Sequence, residues 1–464
     1  MSWWCGHAWL DAGVRDRVRI VAGADGRITS LICDVDPAPD DHRLPGLVLP
    51  GFANTHSHAF HRALGGRARS EFGTFWSWRD RAYALAGRLD PDTYRRLATA
   101  VYAEMALAGV TTVGEFHYLH HGPGGARYGD PNAMGEALRD AARAAGIRLT
   151  LLDTCYLRGG IDVPLEGVQR RFDDGDAESW ANRVSMLSDD DGFRVAAAVH
   201  SVRAVPTEQL DLVVEAAVGE DGMPRPLHVH LSEQPAENRA CLNAYGVTPT
   251  RLLADHGVLG EATTVVHATH LTGDDITLLG QSRTTMCVCP ATEQELGDGI
   301  GPARAVADAG SPLALGGSQH VVVDLLAASH ALEMAAGQVP DTAGPAPETS
   351  GRLRSGGRGR FTPTELVAAL ATSGQEALGW PEAGRIAVGA VADLVAVRVD
   401  PLHAAGSPTG QELLLATGAD VDTVVVGGRV VVREGRHLSL EGEGGSVARM
   451  LRAAVAAAWG EERG

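Results

Sequence analysis

His56 and His58, in Leu49-Pro50-Gly51-Phe52-Ala53-Asn54-Thr55-His56-Ser57-His58, are spaced to hold one metal ion between them. In an extended strand alternate side chains share a face, so both imidazoles can reach the same ion. Imidazole is the commonest neutral ligand for zinc and similar metals. Two surface histidines in a loop would show the same pattern, and the downstream partners decide between the two. His230, in Leu227-His228-Val229-His230-Leu231, is followed three residues later by Glu233, and His267 lies in Thr264-Val265-Val266-His267-Ala268. Both sit at the ends of β-rich apolar runs that precede helical patterns, where a (β/α)8 barrel displays its chemistry. His228 shares a strand face with His230 by spacing. Glu233, on the turn leaving the strand, favours His230 as the ligand and leaves His228 as a packed or supporting group. His267 and His270 pose the same choice, and strand-end placement favours His267.

The elements that must position these residues fall into a recognisable order. Residues 1–47 alternate short apolar runs with turns, as in Val18-Arg19-Ile20-Val21-Ala22-Gly23, and read as a small β module. From 48 to 385 strands alternate with helical patterns; examples are Ala108-Gly109-Val110-Thr111-Thr112-Val113 and Phe193-Arg194-Val195-Ala196-Ala197-Ala198-Val199. That alternation predicts a parallel sheet, most economically a TIM-like barrel. A stretch from 340 to 360, rich in Gly, Pro and Arg, reads as an exposed loop. Residues 386–440 are β again and are expected to complete a small β-sandwich with the first module. The remainder, 441–464, carries a helix from about 445 to 459.

Composition bounds the function. A chain of 464 residues with 44% hydrophobic and 21% charged residues can bury an enzyme-sized core. A net charge of −18 argues against nucleic acid or an acidic membrane surface as a partner. The six cysteines are too few for a disulfide framework, and Cys287 and Cys289 lack Cys-x-x-Cys spacing. No signal peptide is evident, and no apolar run is long enough to cross a bilayer, so a cytoplasmic location is expected.

The chain resembles the amidohydrolase superfamily, in which a barrel holding one or two metals is flanked by a β-sandwich from both termini. The ending Ile386-Ala387-Val388-Gly389-Ala390-Val391-Ala392-Asp393-Leu394-Val395 is typical of it. Within the superfamily it is similar to the formimidoylglutamate deiminases. The resemblance rests on His56-Ser57-His58-Ala59-Phe60-His61-Arg62-Ala63, Phe75-Trp76-Ser77-Trp78-Arg79, Glu115-Phe116-His117-Tyr118-Leu119-His120-His121, His200-Ser201-Val202-Arg203-Ala204-Val205-Pro206 and Cys289-Pro290-Ala291-Thr292-Glu293. It implies one divalent metal, expected to be zinc, on His56, His58 and His230. It further implies Glu233 as proton shuttle and His267 as hydrogen-bond partner of the water or tetrahedral intermediate. His61, Arg79, Tyr118, His200 and Arg203 fall where these enzymes bind a small anionic amino-acid-derived substrate. Arginines suit such a substrate, because they recognise carboxylates through paired hydrogen bonds. Arg79 could equally stack on Trp76 and Trp78 as an ordinary surface residue. By analogy with the superfamily a homodimer is expected.

One position departs from the pattern. Where the family has Gly-Ser-Asp-Ser-His, this chain has Gly316-Gly317-Ser318-Gln319-His320, so Ser318 replaces the metal-binding aspartate that acts as base. Serine is a poor zinc ligand and no base near neutral pH. Three histidines and an open position still make a catalytic zinc site, but loss of a positioned base typically costs about 10² to 10⁴ in rate. Asp324, Glu293 and Glu295 are the nearest carboxylates in sequence, and none is an obvious replacement. Leu313-Ala314-Leu315-Gly316 before and His320 after leave no room for a slipped alignment. Three readings follow, in order. The first is a formimidoylglutamate-type deiminase, hydrolysing a C–N bond with a three-histidine metal site. The second is a relative acting on another amidine or amino-acid derivative, by non-hydrolytic, biosynthetic chemistry that needs no aspartate. The third is a non-catalytic binding protein that kept the pocket.

Overall fold

The computed structural model describes residues 1–11, 13–67, 75–219, 221–338, 359–399, 406–407, 410, 415–440 and 446–461. Of the expected loop from 340 to 360, only 359 and 360 fall within these, and the side chains of 75 and 76 lie outside them. Eight strands, Phe52–Ser57 (β1), Val110–His117 (β2), Arg148–Cys155 (β3), Phe193–Val199 (β4), Leu227–Leu231 (β5), Thr263–His267 (β6), Thr285–Val288 (β7) and Leu313–Leu315 (β8), pair in sequence order. All seven pairings are parallel. A parallel bridge between Ser57 and Ser318 joins the last strand to the first and makes the sheet a barrel. The expected (β/α)8 architecture is therefore the observed one. The strands read as near-continuous apolar or Thr-rich runs because both faces are covered; β1, β2 and β3 are buried at every position.

The intervening helices carry their own start and stop signals. Asp90 caps the helix Pro91–Leu107 by accepting from the Thr93 N–H at 2.8 Å, while Thr93 returns a bond from the Asp90 N–H at 2.9 Å. Proline at its first position has no N–H to leave unpaired. The helix Ala133–Ala145 stops at Gly146, whose φ of 72° places it in the left-handed region.

Strands from both ends of the chain form one eight-stranded sheet. Its order is Arg436–His437, Arg429–Arg433, Val421–Val426, Leu394–Val397, His42–Pro50, Ser2–Leu10, Gly13–Ala22, Ile28–Ile32. Period-two alternation divides its side chains between two cores. Leu44, Val48, Leu394, Ala396 and Val425 join Trp3, Ile20 and Ile28 in a core of the sheet's own. Leu47, Leu49, Val395, Val397, Val424 and Val426 face the other way, into the main core shared with the barrel. The strand His42–Pro50 runs through Gly51 directly into β1, so the sheet sets the angle at which the histidine-bearing strand enters the barrel.

A buried ion pair ties the two parts together. Arg148, at the start of β3, donates through Nη1 to Asp393 Oδ1 at 3.1 Å and through Nη2 to Oδ2, while Asp393 Oδ1 also accepts the Gly427 N–H at 2.8 Å. Both side chains are almost wholly buried. Removing one partner would leave the other charge buried and unpaired, which costs about 3–5 kcal/mol. Asp393→Ala is accordingly expected to lose about that much in urea-monitored unfolding, and a loss below about 1 kcal/mol, the range of an exposed pair, would show the pair to be unimportant.

Candidate active site

The ends of β1, β5, β6 and the segment after β8 converge on one pocket at the C-terminal mouth of the barrel. The backbone is held in the sparsely populated left-handed region at Ser232, His267, Ala268, Ser318 and His320, with φ between 46° and 69°. For non-glycine residues this conformation is uncommon, and surrounding structure must hold it. Here it turns the chain sharply at the strand ends that carry the polar side chains. The closure of the barrel is built from the same residues. His56 O accepts the N–H groups of Gly317 (3.1 Å) and Ser318 (2.9 Å), and the His58 N–H donates to Ser318 O at 3.1 Å. Gly316 makes this approach feasible: a Cβ there would lie 2.9 Å from His56 Cβ and 2.8 Å from Cys289 Sγ.

His56, His58 and His230 meet with ligand atoms within 4.8 Å of one another, all three buried. His58 Nδ1 lies 3.1 Å from Phe116 O, and His230 Nδ1 lies 2.9 Å from His200 O. A carbonyl can only accept, so both Nδ1 atoms carry the proton and both Nε2 atoms present lone pairs inward. The separation of His56 Nε2 and His230 Nε2 is 3.2 Å. A tetrahedral zinc with Zn–N of about 2.0–2.1 Å places its ligand nitrogens about 3.3–3.4 Å apart. The donor set therefore fits a divalent cation. Burial holds His56 and His230 well below the ordinary histidine range, and lowers His58 to about 3, so the imidazoles stay neutral as metal ligation requires.

Beside this centre His267 stands between two carboxylates. Its Nε2 is 3.6 Å from Glu233 Oε1, and its Nδ1 is 3.2 Å from Glu293 Oε1. Burial lowers the pKa of His267, but the two glutamates outweigh it and lift the ring to about 9, so it is an imidazolium at neutral pH. Glu293 does not substitute for the missing aspartate; it is engaged on the ring nitrogen farther from Glu233. Asp324 is elsewhere: its carboxylate accepts the N–H groups of Ala327 and Gly418, both at 2.9 Å. Ser318 itself lines the pocket at the seam.

The substrate-side residues named from the sequence line the same pocket: His61, Arg79, Tyr118, His200 and Arg203, joined by Trp78, Tyr83, Tyr156 and Gln319. Tyr118 Oη is 3.3 Å from His61 Nε2, and the His200 ring packs at 4.4 Å from the Tyr156 ring. The Arg79 guanidinium lies 5.4 Å over the Tyr83 ring, an aromatic partner that adjacency in sequence did not suggest. Arg203 donates through Nε to Glu237 Oε2 at 2.8 Å, and its Nη atoms have no hydrogen bond among the described residues. Glu237 in turn accepts the Ser232 N–H at 2.8 Å, linking the arginine to the strained turn after β5. Sequence reasoning missed Glu237, Tyr156 and the Glu293–His267 contact, although Glu293 stood within a quoted motif.

Other buried histidines belong to the scaffold. His228 Nε2 lies 3.1 Å from Ala377 O, the packed role expected of it. His117 and His120 approach Asp153, but that carboxylate already accepts from both Nη atoms of Arg183 and from Trp180 Nε1, at 2.7–2.9 Å. Behind β1, Ser57 donates to Glu115 Oε2 at 2.5 Å, and His320 Nε2 is 2.9 Å from the same hydroxyl. Glu115 Oε1 also accepts the Ala59 N–H at 2.6 Å, and burial raises this carboxyl to about 7.

The family model for the amidohydrolase family matches residues 47–431. The chain belongs to the amidohydrolase family. It is 35% identical over 454 residues to formimidoylglutamate deiminase of Pseudomonas aeruginosa, covering 94% of this chain and 95% of the relative. It is 30% identical over 396 residues to 8-oxoguanine deaminase of the same organism, covering 84% and 83%. A crystal structure of an amidohydrolase from Brucella melitensis superposes with a TM-score of 0.86 at 30% identity, covering 99% of both chains. An adenosine deaminase structure from Xanthomonas campestris with bound zinc, 19% identical with a TM-score of 0.78, covers 98% and 96% and shares the fold. Members of this family use a divalent metal, and the enzyme is a hydrolase of C–N bonds.

The buried neutral histidines make stability depend on pH. Burial lowers His120 to about 4 and His320 to about 3. An unfolded histidine titrates near about 6.5, so below that pH the unfolded state binds protons that the folded state refuses. Stability is then lost as pH falls from about 6.5 toward 4, on the order of 1 kcal/mol per histidine per pH unit. Urea midpoints measured at pH 7.5, 6 and 5 should fall steadily, and a flat profile would show these rings to be protonated in the folded protein.

Proposed function

We propose that this chain hydrolyses N-formimidoyl-L-glutamate to N-formyl-L-glutamate and ammonia, the deimination step of histidine degradation, with one zinc ion on His56, His58 and His230. The observation that carries this reading is Arg203 on the wall of the pocket that holds the histidine centre, its Nη atoms available to a ligand and its Nε fixed by Glu237. Arg79 lines the same pocket. Both arginines can bind a carboxylate of a substrate that carries two, whereas a neutral purine has none.

Held by His56, His58 and His230, a zinc ion would supply Lewis-acid activation of a water molecule. Glu233 takes one proton from the water as its oxygen adds to the formimidoyl carbon. It delivers that proton to the terminal nitrogen, then takes the second proton from the resulting hydroxyl and passes it to the same nitrogen, so that the C–N bond breaks and ammonia leaves as the C=O bond forms. His267, an imidazolium 3.6 Å from Glu233, faces the oxygen that becomes the formyl group and offsets its developing negative charge. Ser318 contributes no proton transfer, and Glu233 carries both steps. Ser318 and Gln319 favour a second reading, a relative acting on another amidine-bearing amino-acid derivative by chemistry in which no aspartate is required.

Ammonia release from N-formimidoyl-L-glutamate by zinc-loaded protein tests the first reading. Turnover of roughly 1–10³ per second is expected, with Glu233→Gln inactive and Arg203→Met raising KM by about tenfold or more, as loss of a charge-assisted bond of about 1.5–3 kcal/mol requires. Ser318→Asp should accelerate turnover by about 10-fold or more. Metal-loaded protein that releases no ammonia would discard this substrate and favour the second reading.

A further inference from the structure

Glu293 is the fourth residue of the short helix Pro290–Leu296, and its Oε1 accepts the N–H of Cys289, the residue before the helix, at 2.8 Å. That bond only satisfies an N–H at the helix start, which a glutamine oxygen would do as well. The same oxygen also lies 3.2 Å from His267 Nδ1. The glutamate is buried, and so is the histidine, whose backbone sits at φ 69° where few β-carbon-bearing residues rest. A capping residue has no need to reach across to β6 and engage a histidine. The other edge of that ring faces Glu233, so Glu293, His267 and Glu233 form one line from the helix start to the pocket.

We propose that Glu293 is a positioning residue, whose carboxylate holds a proton on His267 Nδ1 and so aims the Nε2 edge of the ring at Glu233 and the reacting group. The reasoning is the general one for imidazoles: the partner of one nitrogen holds the proton there and fixes the ring orientation that the other nitrogen presents. Carboxylates that orient metal-ligating imidazoles contribute about 10–100-fold to activity or metal affinity, and the same scale is expected for a ring that faces the reacting group. The charge matters as well as the oxygen, because a bond to an ionised acceptor is about twice as strong as one to a neutral acceptor. The effect on turnover rests on the deiminase reading above; the proton on Nδ1 does not.

Glu293→Gln separates the two roles, since the amide oxygen still caps the helix while the charge is gone. In the zinc-loaded wild type, ¹⁵N-labelled on histidine, the His267 Nδ1–H should appear as a proton resonance downfield of the backbone amides, assigned by its loss in His267→Asn. In Glu293→Gln it should move upfield, with kcat lower by about 10–100-fold, KM changed by less than about threefold, and the metal content and melting temperature unaltered. An unprotonated Nδ1 in the wild type would overturn the proposal, and so would a Glu293→Gln variant with wild-type kcat and an unmoved resonance. If the wild type releases no ammonia from N-formimidoyl-L-glutamate, the deiminase reading fails by itself, and the Nδ1–H resonance and its shift in Glu293→Gln still decide for or against the role of Glu293.

Discussion

The hydrogen bonds that close the barrel at His56, His58 and Ser318 are the constraint on which the site depends. They are backbone bonds, and they fix β1 against the segment after β8 at the point where both deliver side chains into the pocket. Because His56 O accepts from two successive N–H groups, the chain after β8 must turn tightly, and Ser318 and His320 take left-handed backbone to do so. Gly316 is the residue that lets the strands come so close. The arrangement of the three histidines is thus set by main-chain pairing first and by side-chain choice second. A serine at 318 leaves that pairing intact, which explains how the three histidines keep their arrangement without an aspartate beside them.

A second layer fixes the protons. Phe116 O and His200 O assign the tautomers of His58 and His230, and these are main-chain carbonyls of β2 and of the residue after β4 rather than side chains that could be lost by substitution. His267 is the exception, held by the carboxylates of Glu233 and Glu293. Neutral imidazoles on one side and an imidazolium on the other, within one pocket, follow from these different partners. Burial alone would make every ring neutral.

Much of this was legible in the sequence. His-x-His at a strand end, His230 with Glu233 behind it, and the choice of His267 over His270 follow from period-two spacing and the position of strand ends, both local properties. The alternating pattern from 48 to 385 yields the barrel for the same reason. The two terminal modules read as β from their apolar runs, but the insertion of His42–Pro50 between Ser2–Leu10 and Leu394–Val397 depends on pairing across more than 300 residues and leaves no local trace. Glu237, Glu293 and Tyr156 were missed in their structural roles for a similar reason. Each acts on a partner from another strand or loop, and a buried glutamate in a helix's first turn looks like any cap. The seam contact of Ser318 was invisible too, since nothing in Gly-Gly-Ser-Gln-His announces left-handed backbone.

The central claim is that three imidazole Nε2 atoms, without a carboxylate, bind one metal ion at the barrel mouth. Anomalous diffraction at the zinc edge from crystals grown with one equivalent of zinc tests it most directly. The account predicts a single peak within about 2.0–2.1 Å of the Nε2 atoms of His56, His58 and His230. No peak there, or a peak at His267, Cys289 and Glu293 instead, would contradict it.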